Sequence, residues 1–262
     1  MLQMERKGET FMEKIESLQN PKIKAWKKLH TKKERDKSGL FLIEGKHLIE
    51  EALKSQLVIN QLIIQEGLDI PKEWNVTQLN QLVVTARVMK ELCETETPQG
   101  VAAICEQPEN INLLLDEGRY LFIDGVQDPG NLGAMIRTAD AAGMSGVVLG
   151  HGTTDLFNGK VIRSTQGSLF HLPVQKMDLE EAIELCKEND IPVFGTSLKG
   201  STYTAIEPQK NFALVVGNEG NGVQSELLNL ADQNLYIPIF GEAESLNVAI
   251  ATGILVYHLR GA

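Results

Sequence analysis

The stretch YLFIDGVQDPGNLGAMIRTADAAGMSGVVL, residues 120–149, decides the fold. Residues 120–123 are an uninterrupted apolar run and read as a buried strand. A loop of glycines and short polar residues follows. Residues 131–142 then have helical composition, closed by Gly143 as a C-terminal glycine. Residues 146–149 are a second buried strand. The rhythm continues with a helix over 179–188 capped by Asp178. Strands are expected at 191–194, 212–216 and 235–237, and a helix over 247–259. Short apolar strands alternating with helices predict an α/β unit: a parallel sheet with helices on both faces. Ligands of such sheets gather at the carboxyl ends of the strands. The loops after Ile123, Leu149, Phe194, Val216 and Ile237 are therefore the ones to inspect.

Working outward, residues 12–108 read as a smaller α/β unit. Helices are expected over 22–35, 45–54 and 86–94, and strands over 40–43, 58–64, 82–84 and 101–105. The polar segment 107–112, with Pro108, reads as the linker. The expected organisation is a leader or tag-like extension at 1–11, the smaller unit at 12–108 and the larger α/β unit at 113–262. Residues 1–11 carry no pattern that the rest needs, which makes Met12 a candidate start.

The chain has 262 residues and a formal net charge of −10, which at first opposes nucleic-acid binding. The charge is uneven. Residues 1–108 carry 16 basic and 16 acidic side chains, so the acidity lies entirely beyond them. Lys22, Lys24, Lys27, Lys28, Lys32, Lys33, Arg35 and Lys37 are opposed within their run only by Glu34 and Asp36. Such a local patch can grip phosphates on an acidic protein. Trp26, inside the run, has the character of a core anchor. Cys93, Cys105 and Cys186 stand at no metal or redox spacing and read as buried apolar residues in a reducing compartment. His30, His47, His151, His171 and His258 are dispersed, and no metal site is expected. The N-terminus lacks the apolar core of a secretory signal. The apolar run 246–259 is too short and too polar to span a bilayer. The reading is cytoplasmic, with no membrane partner.

Three of the strand-end loops carry glycines beside short polar groups: residues 124–133, 217–222 and 238–247. Glycine lets a backbone approach a ligand closely. Gly217-x-x-Gly220-x-Gly222 is not the dinucleotide fingerprint, and no phosphate-loop lysine motif exists. A nicotinamide-dependent oxidoreductase therefore fits poorly.

The blocks NLGAMIRTADAAG (131–143), LVVGNEGNGV (214–223) and IPIFGEAESLNVAIA (237–251) resemble the SpoU (TrmH) family of RNA 2′-O-ribose methyltransferases, within the SPOUT superfamily. The likeness covers roughly residues 115–262. Residues 12–108 are similar to the family's ribosomal-protein-like substrate domain through FLIEGKH (41–47) and PQGV (98–101). One position departs: a second serine is common where Ala249 stands. The resemblance implies a deep trefoil knot, a homodimer with its site near the subunit interface, and S-adenosyl-L-methionine as cofactor. It places the cofactor on Gly195, Thr196, Gly217, Ile237 and Leu246. It places catalysis on Asn131, Arg137, Glu219, Ser245 and Asn247.

A guanidinium loses its proton only above about pH 12, so Arg137 is expected to hold a phosphate and stabilise an alkoxide rather than act as base. Glu219 is expected to hold Arg137 or Asn131, and Ser245 and Asn247 to fix the loop. RNA contacts are expected at Lys22, Lys27, Lys28, Lys32, Lys33, Arg35 and Lys37. Ribosomal RNA is favoured as substrate. Transfer RNA, and a non-catalytic RNA binder of the same fold, are the alternatives. Asn131 and Asn247 are also residue types that cap helices.

Overall fold

The computed structural model describes residues 4–7, 10–108 and 113–261, with side chains from Glu13 onward. The chain divides into two compact units, Met1–Glu109 with Leu156–Phe170, and Asn110–Asp155 with His171–Ala262.

The first unit begins with β1 (Met4–Lys7), β2 (Thr10–Ile15), α1 (Pro21–Lys27), α2 (Lys32–Ser38) and β3 (Leu40–Glu44). It continues with α3 (Lys46–Lys54), β4 (Ile59–Gln65), β5 (Gln81–Val84), α4 (Ala86–Leu92) and β6 (Val101–Glu106). The mixed sheet runs β1-β2-β5-β4-β6-β3. Residues expected as a patternless leader thus contain β1 and the start of β2, and β2 pairs with β5 through Glu13–Ile15. Of the expected linker, residues 109–112 lie outside the described residues.

Side chains alternate across the strands. Ile63, Leu82, Val84, Ala102 and Ile104 meet α1 and α4 on one face, with Trp26 packed at the edge. Phe41, Ile43, Leu62, Ala103 and Cys105 meet α3 on the other. The helix expected over 22–35 is broken at Thr31, whose backbone is extended (φ −97°, ψ 136°). Arg35 then turns inward, 3% exposed, and its Nη1 donates to the Leu29 carbonyl at 2.6 Å. It is corrected from phosphate contact to buried strut.

The second unit contains β7 (Arg119–Ile123), α5 (Pro129–Ala141) and β8 (Gly146–Leu149). The chain then leaves for the first unit, where α6 (Gly159–Thr165) buries Ile162 beside Phe41 and Ile43. It returns as β9 (Val174–Lys176), α7 (Leu179–Glu188), β10 (Val193–Thr202), β11 (Phe212–Val216), α8 (Ser225–Leu230), β12 (Gln233–Tyr236) and α9 (Val248–Arg260). The sheet order is β12-β10-β11-β7-β8-β9, and every pair is parallel. Tyr120, Phe122, Ala213 and Val215 pack under α7 and α8. The alternate residues face the side where α5 lies on β8, α9 on β11, and the two helices on each other. Cys93, Cys105 and Cys186 are all buried, and burial raises each thiol's pKa.

Inside the first unit, α6 is tied down by charge. Arg163 Nη1 meets Glu44 Oε1 at 2.8 Å and Glu94 Oε2 at 3.1 Å. Glu44, 8% exposed, also accepts the Glu94 N–H and the Thr95 hydroxyl. His30 Nδ1 lies 3.2 Å from Glu94 Oε1. That hydrogen bond, chiefly, lowers the Glu94 pKa to about 2 against the effect of burial. A depressed carboxylate stabilises the fold above its unfolded pKa and loses that contribution as pH falls toward 2. Arg163→Met leaves Glu44 without its cation. It is expected to cost about 2–3 kcal/mol at pH 7, less than for a fully buried pair because the arginine is partly exposed. Melting curves of both proteins at pH 7 check it, and an equal Tm would refute it.

Candidate active site

The strand order reverses direction around β7, so the loops after β7 and β11 leave the sheet side by side. Asp124 N–H continues the ladder onto the Val216 carbonyl at 2.8 Å. Asn218 then bridges the loops: its Nδ2 donates to the Gly125 carbonyl at 2.8 Å, and its Oδ1 accepts the Gly220 and Asn221 N–H groups. Helix α5 starts earlier than expected, with Asp128 as cap accepting the Asn131 N–H at 2.9 Å and Pro129 at the first helical position. Asn131 is therefore not the cap, and its side chain is available to the site.

That amide sits in the middle of a directed chain. The first-turn N–H groups of Ala249 and Ile250 donate to Asn247 Oδ1 at 2.9 and 3.3 Å. Asn247 Nδ2 donates to Asn131 Oδ1 at 2.9 Å. Asn131 Nδ2 donates to Glu219 Oε1 at 3.0 Å. The start of α9 can only donate and a carboxylate can only accept, so the orientation of both amides is forced. Asn247 both caps α9 and joins the chain. Glu219 also accepts the N–H groups of Gln127 and Asp128 at 3.2 and 3.1 Å. Burial alone would raise its pKa. The hydrogen bonds from Asn131 and the backbone outweigh burial and lower it. Glu219 is thus an anionic anchor with its oxygens occupied, ill-suited to accept a proton. Of the two expected partners it holds Asn131.

Arg137 is exposed on α5, and among the described residues no hydrogen bond or ion pair involves it. Its guanidinium is free to meet a ligand. Ser245 is likewise exposed in the loop before Asn247, with no described hydrogen bond.

Of the expected cofactor residues, Gly195, Thr196, Gly217 and Ile237 lie on or just beyond three neighbouring strands, and Leu246 stands in the loop before α9. Gly195 pairs with Val215 on β11 and with Asn234 on β12, which aligns Thr196, Gly217 and Ile237 beyond it. β10 pairs with Leu235 at Thr196 and again at Ser201, so residues 197–200 form a bulge without register partners on β12. Ile237 is half-buried and Leu246 is 37% exposed. A bulged main chain beside uncovered aliphatic side chains suits an adenine ring, which needs edge hydrogen bonds and apolar faces. Gly217 and Gly195 have a structural duty as well. A Cβ at Gly217 would run into the backbone of Gly222 and Val223, and one at Gly195 into Asn234 and Leu228.

In the first unit, Lys22 pairs with Glu13 at 2.7 Å, Lys27 with Glu91, Lys32 with Asp36 at 3.5 Å and Lys37 with Glu34 at 3.9 Å. Among the described residues no carboxylate pairs with Lys24, Lys28 or Lys33. These three are the cations most available to a phosphate, and Lys24 was not among the expected contacts. Asp128, Asn218, Asp124 and Gln224 were also missed. Only Asp128 carried a local signal, the Asp-Pro of a helix start.

Comparison with known proteins agrees with this geometry. The SpoU rRNA Methylase family matches residues 118–257, and the MRM3-like substrate binding domain matches residues 20–103. The 23S rRNA (guanosine(2553)-2′-O)-methyltransferase RlmP of Bacillus subtilis is 51% identical over 251 residues, covering 95% of this chain and 100% of that protein. The AdoMet-bound rRNA methyltransferase from Sinorhizobium meliloti superposes with a TM-score of 0.85 at 36% identity, over 94% of this chain and 97% of that one. The SpoU methyltransferase AviRb from Streptomyces viridochromogenes, in complex with AdoMet, gives 0.82 at 26% identity, over 92% and 97%. With a polar chain joining all three sequence blocks and a family match over the whole second sheet, the protein belongs to the SpoU rRNA methylase family.

Proposed function

We propose that the protein transfers a methyl group from S-adenosylmethionine to a ribose 2′-hydroxyl of 23S ribosomal RNA, at the guanosine equivalent to position 2553 of its Bacillus subtilis relative. The observation that carries this reading is the chain Glu219–Asn131–Asn247–α9, which organises the catalytic residues beside the strand ends suited to the cofactor. The bound cofactor supplies an electrophilic methyl on a sulfonium sulfur. Asn131, locked in one orientation, fixes the helix start from which α5 projects Arg137. The free guanidinium of Arg137 clamps the phosphate next to the target ribose and stabilises the developing alkoxide, whose proton passes to solvent. Asn247 holds the loop against α5 and α9, and the exposed Ser245 contacts the substrate. Arg137→Lys is expected to lower kcat by roughly 10²-fold, since lysine offers no planar fork. Turnover near that of the native protein would refute the bidentate role.

We further infer the family's trefoil knot at the β10–α9 end of the sheet, and a homodimer. The dimer reading is supported by Ile250 and Tyr257, which lie seven residues apart on α9 and are 58% and 51% exposed, with Ile254 between them. RNA docks on the first unit through Lys24, Lys28 and Lys33, and its binding weakens with salt. The reading is tested by incubating the protein with labelled S-adenosylmethionine and 23S or transfer RNA, then mapping the modified nucleotide by mass spectrometry. Label at the equivalent guanosine is expected. Label only in transfer RNA, or in neither, overturns the assignment.

A further inference from the structure

We propose that Asp124 is a positioning residue for methyl transfer: by clamping Gln224 it closes the loop that carries Glu219 and holds that carboxylate against Asn131. The inference rests on the reading of the site given above.

Asp124 is the first residue beyond β7 and is 3% exposed. A carboxylate in such a place is costly unless its oxygens are occupied. Both are, and by one residue. Oδ2 accepts the Gln224 N–H at 2.8 Å and Oδ1 accepts Gln224 Nε2 at 2.6 Å. The Asp124 N–H meanwhile holds the Val216 carbonyl. One residue therefore grips the loop 217–224 at both ends. Glu219 lies within that loop, and the three donors that fix it come from residues 127–131, the segment that Asp124 itself begins. Asn218 and Gly222 exchange two backbone hydrogen bonds across that loop, which ties it into one piece, so a slip at Gln224 is passed to the Glu219–Asn131 contact.

Gln224 supports the same conclusion. It occupies the N-cap of α8, where a short side chain would serve the helix, yet its side chain makes no capping bond. Its amide is committed to Asp124 instead. The pair serves the loop at the expense of the helix end.

The test exchanges donor and acceptor within the pair. Gln224→Glu sets a carboxylate against Asp124 and is expected to lower kcat about 30-fold, with KM for S-adenosylmethionine changed less than threefold. Asp124→Asn is expected to be mild, because the Gln224 amide can rotate to meet it. The double variant Asp124→Asn with Gln224→Glu restores the hydrogen bond with reversed polarity, and its kcat should return to within threefold of the native value. Melting temperature is followed throughout, and restored Tm without restored kcat overturns the proposal. So does a Gln224→Glu protein that keeps its kcat, or one whose loss is confined to cofactor KM. A native protein that transfers no methyl overturns the functional reading and this proposal with it. An active native protein with an unaffected Gln224→Glu variant overturns this proposal alone.

Discussion

Asn131→Asp is expected to reduce methyl transfer at neutral pH by roughly 10³-fold and to lower the melting temperature there by a few degrees. The substitution is nearly isosteric, and it replaces the hydrogen that Asn131 Nδ2 gives to Glu219 with a second carboxylate oxygen at about the same 3.0 Å. Two carboxylates so close cannot both ionise cheaply, and one pKa of the pair rises. The helix dipole favours an acidic residue in the first turn of α5 and offsets only part of that repulsion, so the melting temperature should recover together with activity as the pH is lowered. The variant thus carries a pH signature. Below the raised pKa the pair shares one proton and the bridge re-forms, so activity should recover as pH falls from about 7.5 to about 5.5. The native protein holds Glu219 ionised, with a lowered pKa, and should show no such gain. Methyl transfer measured across that range checks the point. Activity within threefold of native at pH 7.5 would show that the amide hydrogen is dispensable.

Gly217→Ala is expected to abolish cofactor binding and to lower the melting temperature by several degrees. A methyl at this position meets the backbone of Gly222 and Val223, which no rotamer change can relieve. Overpacking against fixed backbone costs about 1–3 kcal/mol, and in a chain of this size each kcal/mol shifts Tm by roughly 2–4 °C. The displaced loop carries Asn218 and Glu219, so the damage reaches both the cofactor edge and the polar chain. Calorimetric titration with S-adenosylmethionine, beside a thermal melt, checks both parts. Micromolar binding by the alanine variant would refute the close approach. A larger residue such as tryptophan would be a poor blocking control here, because it disrupts the loop before it fills any pocket.

Much of the second sheet was legible because its strands are buried on both faces and so stand out as apolar runs. Phe212–Val216 and Gly146–Leu149 emerged with their expected bounds, as did the helix Leu179–Glu188 behind Asp178. Helix α6 was not legible. It is seven residues long and lies among glycines and turn residues, and it is held by partners in the first unit such as Glu44 that no local pattern reveals. Arg35 was misread for a related reason. A run of charges shows which residues are polar but not which one the Thr31 break turns inward. Within the site, the sequence blocks pointed to Asn131, Glu219 and Asn247 singly. Their order of donation was not readable, because it is set by contacts spanning 88 and 116 residues and by the unpaired N–H groups of α9. Asp124 was invisible for the opposite reason: nothing around it in sequence announces a partner a hundred residues away.

The excursion of Leu156–Phe170 into the first unit bears on how the protein is made. During synthesis the amino-terminal sheet emerges from the ribosome well before α6 exists. Until Phe170 has been translated, the face lined by Phe41, Ile43 and Leu62 lacks Ile162, and Glu44 lacks its cation. Amino-terminal domains commonly fold first on the ribosome, but this one must wait for a segment encoded inside its neighbour. Its maturation is thereby coupled to that of the methyltransferase unit. A gene fragment ending near residue 108 should yield an aggregation-prone product, and fusing residues 156–170 to it through a flexible linker should restore solubility.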